Sequence, residues 1–172
     1  MIIYGQSKLG RKDNVTEQPI FQELYTPEKQ KLQGLSLEIA ECYGKPHIGA
    51  YYRNYSINSH TAEDGAMCIC GKPATNVHHH PPKSRGHYLS MIVGTDRIKL
   101  RPALIALCGS GTQGCHGEVH QKKIRITWEW NDKESAEAWW KGELLKEFEP
   151  HSPELFNYGR WKMVNTRNGK EI

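Results

Sequence analysis

No apolar run in this chain approaches the length of a membrane-spanning helix, and phenylalanine is scarce, with only three residues. A bilayer helix needs about 20 consecutive apolar residues, so no membrane attachment of that kind is expected. Residues 1–12 lack the apolar stretch of a secretory signal, and a cytoplasmic address is the expectation. There is no internal repeat and no low-complexity tract, which argues against a solenoid or a fibrous protein. Apolar material is limited as well. A hydrophobic fraction of 37% and a mean hydropathy of −0.70 over 172 residues allow a modest core, and short segments with modest cores usually need a staple. The cysteine count is five, an odd number. In a reducing compartment that points to metal ligation before disulfides.

What is present is concentrated. Cys68 to His120 holds four of the five cysteines and six of the nine histidines. The segment opens with Cys68-Ile69-Cys70-Gly71, runs through Val77-His78-His79-His80-Pro81-Pro82, and closes with Leu107-Cys108 and Cys115-His116-Gly117-Glu118-Val119-His120. Charge follows the same segment. Residues 61–125 carry nine Lys/Arg against four Asp/Glu, whereas 1–60 carry seven against six and 126–172 seven against nine. A basic surface around a metal site suits a polyanion such as DNA or RNA; a solvated lysine-rich face is the plainer alternative.

Three segments are expected: an extension over 1–60, a metal-organised core over 61–125, and a second extension over 126–172. The first holds a predicted amphipathic helix over 26–43. Thr26 and Pro27 suit its start, Leu32, Leu35, Ile39 and Cys42 recur at helical steps, and Gly44 with Pro46 suits its end. Cys42 lies on the apolar stripe and reads as a buried thiol. Tyr51 to Tyr55 reads either as a short strand with an aromatic face or as a stacking surface for bases. After the core, Ile124 to Trp130 alternates as a half-buried strand. A helix with Ala136, Trp139, Trp140, Leu144 and Phe148 on one face follows, then a last strand over 158–164.

The spacing of sulfur and imidazole suggests two metal sites. Cys68 and Cys70 before the histidines, with Cys108 and Cys115 after them, could supply four thiolates to one structural zinc. His116 and His120 are four residues apart and share a helix face, the spacing by which a helix offers two imidazoles to one metal.

This pattern resembles the HNH endonucleases, the ββα-metal or His-Me finger group, and in its glycine-rich Cys108–Gly117 string the members encoded by phages and prophages. The resemblance covers about a third of the chain. It implies an α+β fold on a ββα-metal core, with a helical N-terminal extension and a strand–helix–strand C-terminal one. It implies a metal-dependent endonuclease that hydrolyses DNA phosphodiesters. His79 would be the general base, and His78, His116 and His120 would hold a catalytic divalent cation (Mg²⁺, Mn²⁺, Ni²⁺ or Zn²⁺). A rival register moves ligand and base to His79 and His80. Lys83, Arg85, Arg97, Lys99 and Arg101 line the intervening loop as candidate phosphate contacts. A homodimer, or a phage or host protein partner, is compatible with the family.

The sequence departs from the family in three places. Cys-x-Cys replaces Cys-x-x-Cys, six residues separate Cys108 from Cys115, and no asparagine occurs in 100–107. These departures keep a second expectation open: a non-catalytic, zinc-stabilised module that binds nucleic acid or protein.

Overall fold

Each element starts where local chemistry permits it. The computed structural model describes residues 2–4, 31–32, 35–53 and 59–172. Strand β1 (Ile2–Tyr4) is followed by the two-residue strands β2 (Lys31–Leu32) and β3 (Leu35–Ser36), a one-turn helix α1 (Leu37–Ala40), β4 (Ala50–Tyr52), β5 (His60–Ala62) and β6 (Asn76–His80). Then come β7 (Leu89–Val93), β8 (Asp96–Leu100), β9 (Ala103–Leu107), helix α2 (Gly114–His120) and β10 (Ile124–Trp130). Helices α3 (Lys133–Trp140) and α4 (Glu143–Glu147) and strand β11 (Gly159–Asn165) complete the chain. This is a mixed α/β protein of small antiparallel sheets: β1-β7-β8, β2-β3, β4-β5, β6-β9 and β10-β11.

The helix predicted over 26–43 is corrected. Residues 26–30 and 33–34 lie outside the described residues; among the described ones β2 and β3 pair as strands, and the helix covers Leu37–Ala40. Ser36 sets that start. Its backbone is extended, and its hydroxyl accepts the Ile39 N–H at 3.3 Å, which makes it an N-cap. The apolar stripe was a true burial signal all the same. Of that stripe, Leu35 and Cys42 are buried and Ile39 is half-buried. Cys42 donates its thiol to the Glu38 carbonyl at 3.3 Å, and burial pushes its pKa up to about 12.

The C-terminal strand–helix–strand reading matches the structure, with one change. The long helix divides at Gly142, whose positive φ of +77° only glycine adopts cheaply. Asp132 caps α3 by accepting the Ser135 N–H at 2.6 Å. Residues 89–100, read as part of a loop, form the β7–β8 hairpin around Gly94. β10 and β11 pair along seven residues, and Gly159 sits opposite Trp130. A side chain at Gly159 would lie 2.7 Å from the Trp128 indole, so this close approach needs glycine.

Two apolar clusters hold the elements together. One joins Leu35 and Tyr43 to Leu89, Leu100, Trp139 and Leu155. The other joins Cys42 and Cys68 to Ile105, Ile124, Trp128 and Trp161. Each therefore draws on early, central and late parts of the chain. Burial of such side chains contributes about 1.5–3 kcal/mol apiece. Lys45 is enclosed within the first region. It is fully buried, its Nζ lies 3.9 Å from the Trp139 ring centroid, and burial pulls its pKa down to about 7.

The site is carried by β6, β9 and α2. β6 and β9 pair antiparallel with His78 opposite Ile105 and His79 opposite Leu104. All five residues of β9 are buried, which accounts for its unbroken apolar sequence. α2 follows and packs on β9 and β10.

Candidate metal centres

Two turns bring the thiols together. Cys68 accepts the Gly71 N–H through its carbonyl at 2.9 Å, and its own N–H donates to the Lys72 carbonyl at 2.8 Å. This tight turn lets a Cys-x-Cys pair do the work of a longer knuckle. After Cys108 the chain doubles back, and the His116 N–H reaches the Cys108 carbonyl at 3.1 Å. Gly109 permits that reversal: its φ is +87°, and an added Cβ would stand 2.1 Å from the Gln113 carbonyl oxygen. So the six-residue gap returns Cys115 to Cys108. The sequence offers no asparagine ahead of Cys108, and the loop is tied from the opposite strand instead. Thr75 and Asn76 both hydrogen-bond to the Gly109 backbone.

The sulfurs of Cys68, Cys70, Cys108 and Cys115 all lie within 4.8 Å of one another, and Cys70 and Cys108 are 3.5 Å apart. Four sulfurs around a tetrahedral zinc stand about 3.8 Å from each other. The set fits that ion, and no disulfide consumes it. The electrostatics agree. The Lys72 N–H beside Cys70 pulls that thiol down to about 7, while burial raises Cys68 and Cys115. Four adjacent thiols resist becoming four thiolates unless a cation stands among them.

The second group is His78, His116 and His120, each with a ring nitrogen within 4.8 Å of the others. The Nε2 atoms of His116 and His120 are 3.0 Å apart, and the His78 ring lies 5.3 Å and 5.2 Å from theirs. His78 is 2% exposed, and its buried Nε2 has no hydrogen-bond partner. An unpartnered buried nitrogen of this kind is costly, and a metal ion removes the cost. Burial holds the His78 pKa down to about 2, followed by repulsion from His80 and its neighbours. His78 therefore stays neutral, with a lone pair to offer. Burial also lowers the His116 pKa.

The three consecutive histidines have separate surroundings. His80 is spent on structure: its Nε2 donates to the Ile126 carbonyl at 2.8 Å, and its ring lies 5.8 Å from that of Trp161. His79, by strand alternation, turns to the other face, where its ring meets His60 edge-on at 4.6 Å and Tyr52 at 6.3 Å. His60 was not singled out in the sequence; isolated from the cluster, it carried no signal. The same holds for the His47–His151 pair, stacked at 4.2 Å. His47 Nδ1 accepts the Leu104 N–H, and His151 Nδ1 donates to the Lys45 carbonyl.

The five cations named from the sequence do not gather in one groove. Lys83 and Arg85 lie on a 3-10 turn after β6, and Arg97 and Lys99 are exposed on β8. Lys99 lies over the Tyr88 ring at 4.9 Å and Arg101 over Tyr52 at 5.5 Å. Lys99 and Arg101 border a wide cleft of about 760 Å³ with His47 and His151. Arg85 borders a separate one with His78. Among the described residues no helix is long and apolar enough to cross a membrane.

No protein-family model matches the chain, and no curated protein or solved structure matches it either. The chemistry of the two ligand sets therefore carries the functional reading.

Proposed function

We propose that this protein is a divalent-metal-dependent DNA endonuclease on the ββα-metal plan of the HNH group, with zinc at the four cysteines as a structural ion. The observation that carries the reading is the His78–His116–His120 triad, with His78 on the middle strand position and the other two one helical turn apart. In this reading the triad holds the catalytic cation. A cation there supplies positive charge to a scissile phosphate and its departing oxygen. His78 contributes a neutral buried nitrogen to that set. His79, on the opposite face of the same strand, stays out of coordination and acts as the base that takes a proton from the attacking water. His80 anchors the strand end to β10. The nucleic-acid substrate is supported by the basic balance of residues 61–125.

The test is supercoiled plasmid incubated with the zinc-loaded protein and a panel of divalent cations. Nicking is expected with at least one of them. His79→Ala and the better-filling His79→Gln should each cut it by roughly a hundredfold or more, with melting temperature and zinc content near those of the parent. A parent protein that binds a second cation yet nicks nothing would end the nuclease reading. A second reading, a zinc-stabilised binding module, is favoured by the scatter of Lys83, Arg85, Arg97, Lys99 and Arg101 over separate surfaces.

A further inference from the structure

A cleft of about 340 Å³ opens between α1, the end of β6 and β10, and His78 forms part of its wall. It is bordered by Arg85, Lys122 and Arg125, with Glu38 as the single acidic side chain. Neither Lys122 nor Arg125 was singled out from the sequence, because both lie just beyond the cysteine–histidine segment. Both are exposed, and neither forms an ion pair with a described residue.

Lys122 stands at an unusual place. Helix α2 ends in a Schellman turn: Lys122 N–H donates to the Val119 carbonyl at 3.0 Å, and Lys123 N–H to the Glu118 carbonyl at 2.8 Å. The left-handed residue of such a turn is usually glycine, since a Cβ is strained there. Here it is a lysine at φ +59°. The conformation is held from outside. Thr166, just past β11, donates its hydroxyl to the Lys122 carbonyl at 2.9 Å. This turn fixes the backbone at Lys122 and so sets where its side chain leaves the rim of the cleft. Arg125 is the exposed residue between the buried Ile124 and Ile126 on β10, and it lines the same cleft.

We infer that Lys122 and Arg125 hold the phosphates that flank the scissile one, so that the DNA strand runs from the histidine triad along this cleft. The inference rests on the nuclease reading and names the part of the surface that its substrate occupies. The two side chains contact phosphate oxygens and read no base. They add affinity that is independent of sequence and falls with salt.

The experiment is fluorescence-anisotropy binding of a labelled DNA duplex to zinc-loaded protein, without added catalytic cation, over a range of KCl concentrations. The parent, Lys122→Gly, Arg125→Gln and the double variant are compared, with Lys133→Gln on α3 as a control. Each cleft substitution is expected to reduce the slope of log K against log[salt] by about 0.9, and the double by about twice that. The control slope should equal the parent's. Lys122→Gly should melt no lower than the parent, because glycine takes the left-handed conformation readily. That keeps lost binding apart from lost folding. If the parent binds and nicks DNA while the cleft variants keep its slope, the inference is overturned and the nuclease reading survives. If the parent neither binds nor nicks DNA, both fall together.

Discussion

The sulfur set and the imidazole set both draw on α2, through Cys115 and through His116 and His120, and are closed to different degrees. Four thiols from two turns face one another, and every corner of a tetrahedron has a ligand. The imidazole set has three members graded in exposure, with His78 buried, His116 half-buried and His120 exposed. A full set of four ligands is the arrangement of a structural zinc, whereas three ligands with one side open leave room for water and substrate. The backbone supports the contrast. The sulfur loops owe their path to Gly71, Gly109 and Gly114, all at positive φ, and Cys68 anchors its turn in the second apolar cluster. The triad stands on a strand paired along five residues and on a seven-residue helix. In the proposed reading, an ion at the sulfur set would be coupled to the fold and one at the imidazole set to chemistry.

The largest expected effect follows from the closed set. Cys108→Ser should remove the structural zinc and cost about 3 kcal/mol or more in stability, because binding energy at such a site is folding energy. Thermal melting with and without chelator checks this. A variant that melts like the parent would erase the difference between the two sets.

A smaller effect is expected at the open set. His116→Ala should weaken binding of the second cation by roughly a hundredfold, more than the loss usually seen for groups one shell further out. Melting temperature and tightly held zinc should be unchanged. Calorimetric titration of the zinc-loaded protein with Mn²⁺ reads the affinity, and excess cation should restore part of the nicking. If His116→Ala instead released the tight zinc, the two sets would be one centre.

The smallest effect concerns imidazoles that hold no ion. Burial depresses the His47 pKa to about 3 and the His151 pKa to about 4. The folded state therefore binds fewer protons than the unfolded chain between these values and the ordinary 6.5. The stability that depends on neutral His47 is complete above about pH 6.5 and is lost as the pH falls towards 3. The loss from His47 should be about 3 kcal/mol by pH 4.5. His47→Gln, which keeps an acceptor for the Leu104 N–H, should flatten the melting curve against pH over that window. An unchanged pH dependence would show that His47 is protonated in the folded protein.

Much of the site was legible in the sequence, because its chemistry is written in residue types that have few other uses at such density. The two ligand sets name themselves: Cys68, Cys70, Cys108 and Cys115 bracket the histidines, and His116 and His120 share a helix turn. The C-terminal elements were legible through period and turn residues. The helix was read too broadly over 35–43 because Leu35, Ile39 and Cys42 gave a burial signal that a strand, a capped turn and a short helix share equally; Ser36 caps the helix Leu37–Ala40. The β7–β8 hairpin was missed behind its basic residues. Contacts between distant segments were beyond reach: His60 against His79, Arg101 over Tyr52, and Lys45 beneath Trp139 depend on tertiary packing alone.

The central claim is that one chain holds two metal sites of different kind. Metal content and exchange measure this most directly. Protein purified without added metal should contain about one zinc per chain that resists mild chelation, a ratio set by one four-cysteine site. Titration with Mn²⁺ or Zn²⁺ should then reveal a second, weaker and freely exchanging ion that disappears in His78→Ala and His116→Ala and persists in His79→Ala. A protein with no tight zinc, or with a single class of ion indifferent to His78 and His116, would contradict the account.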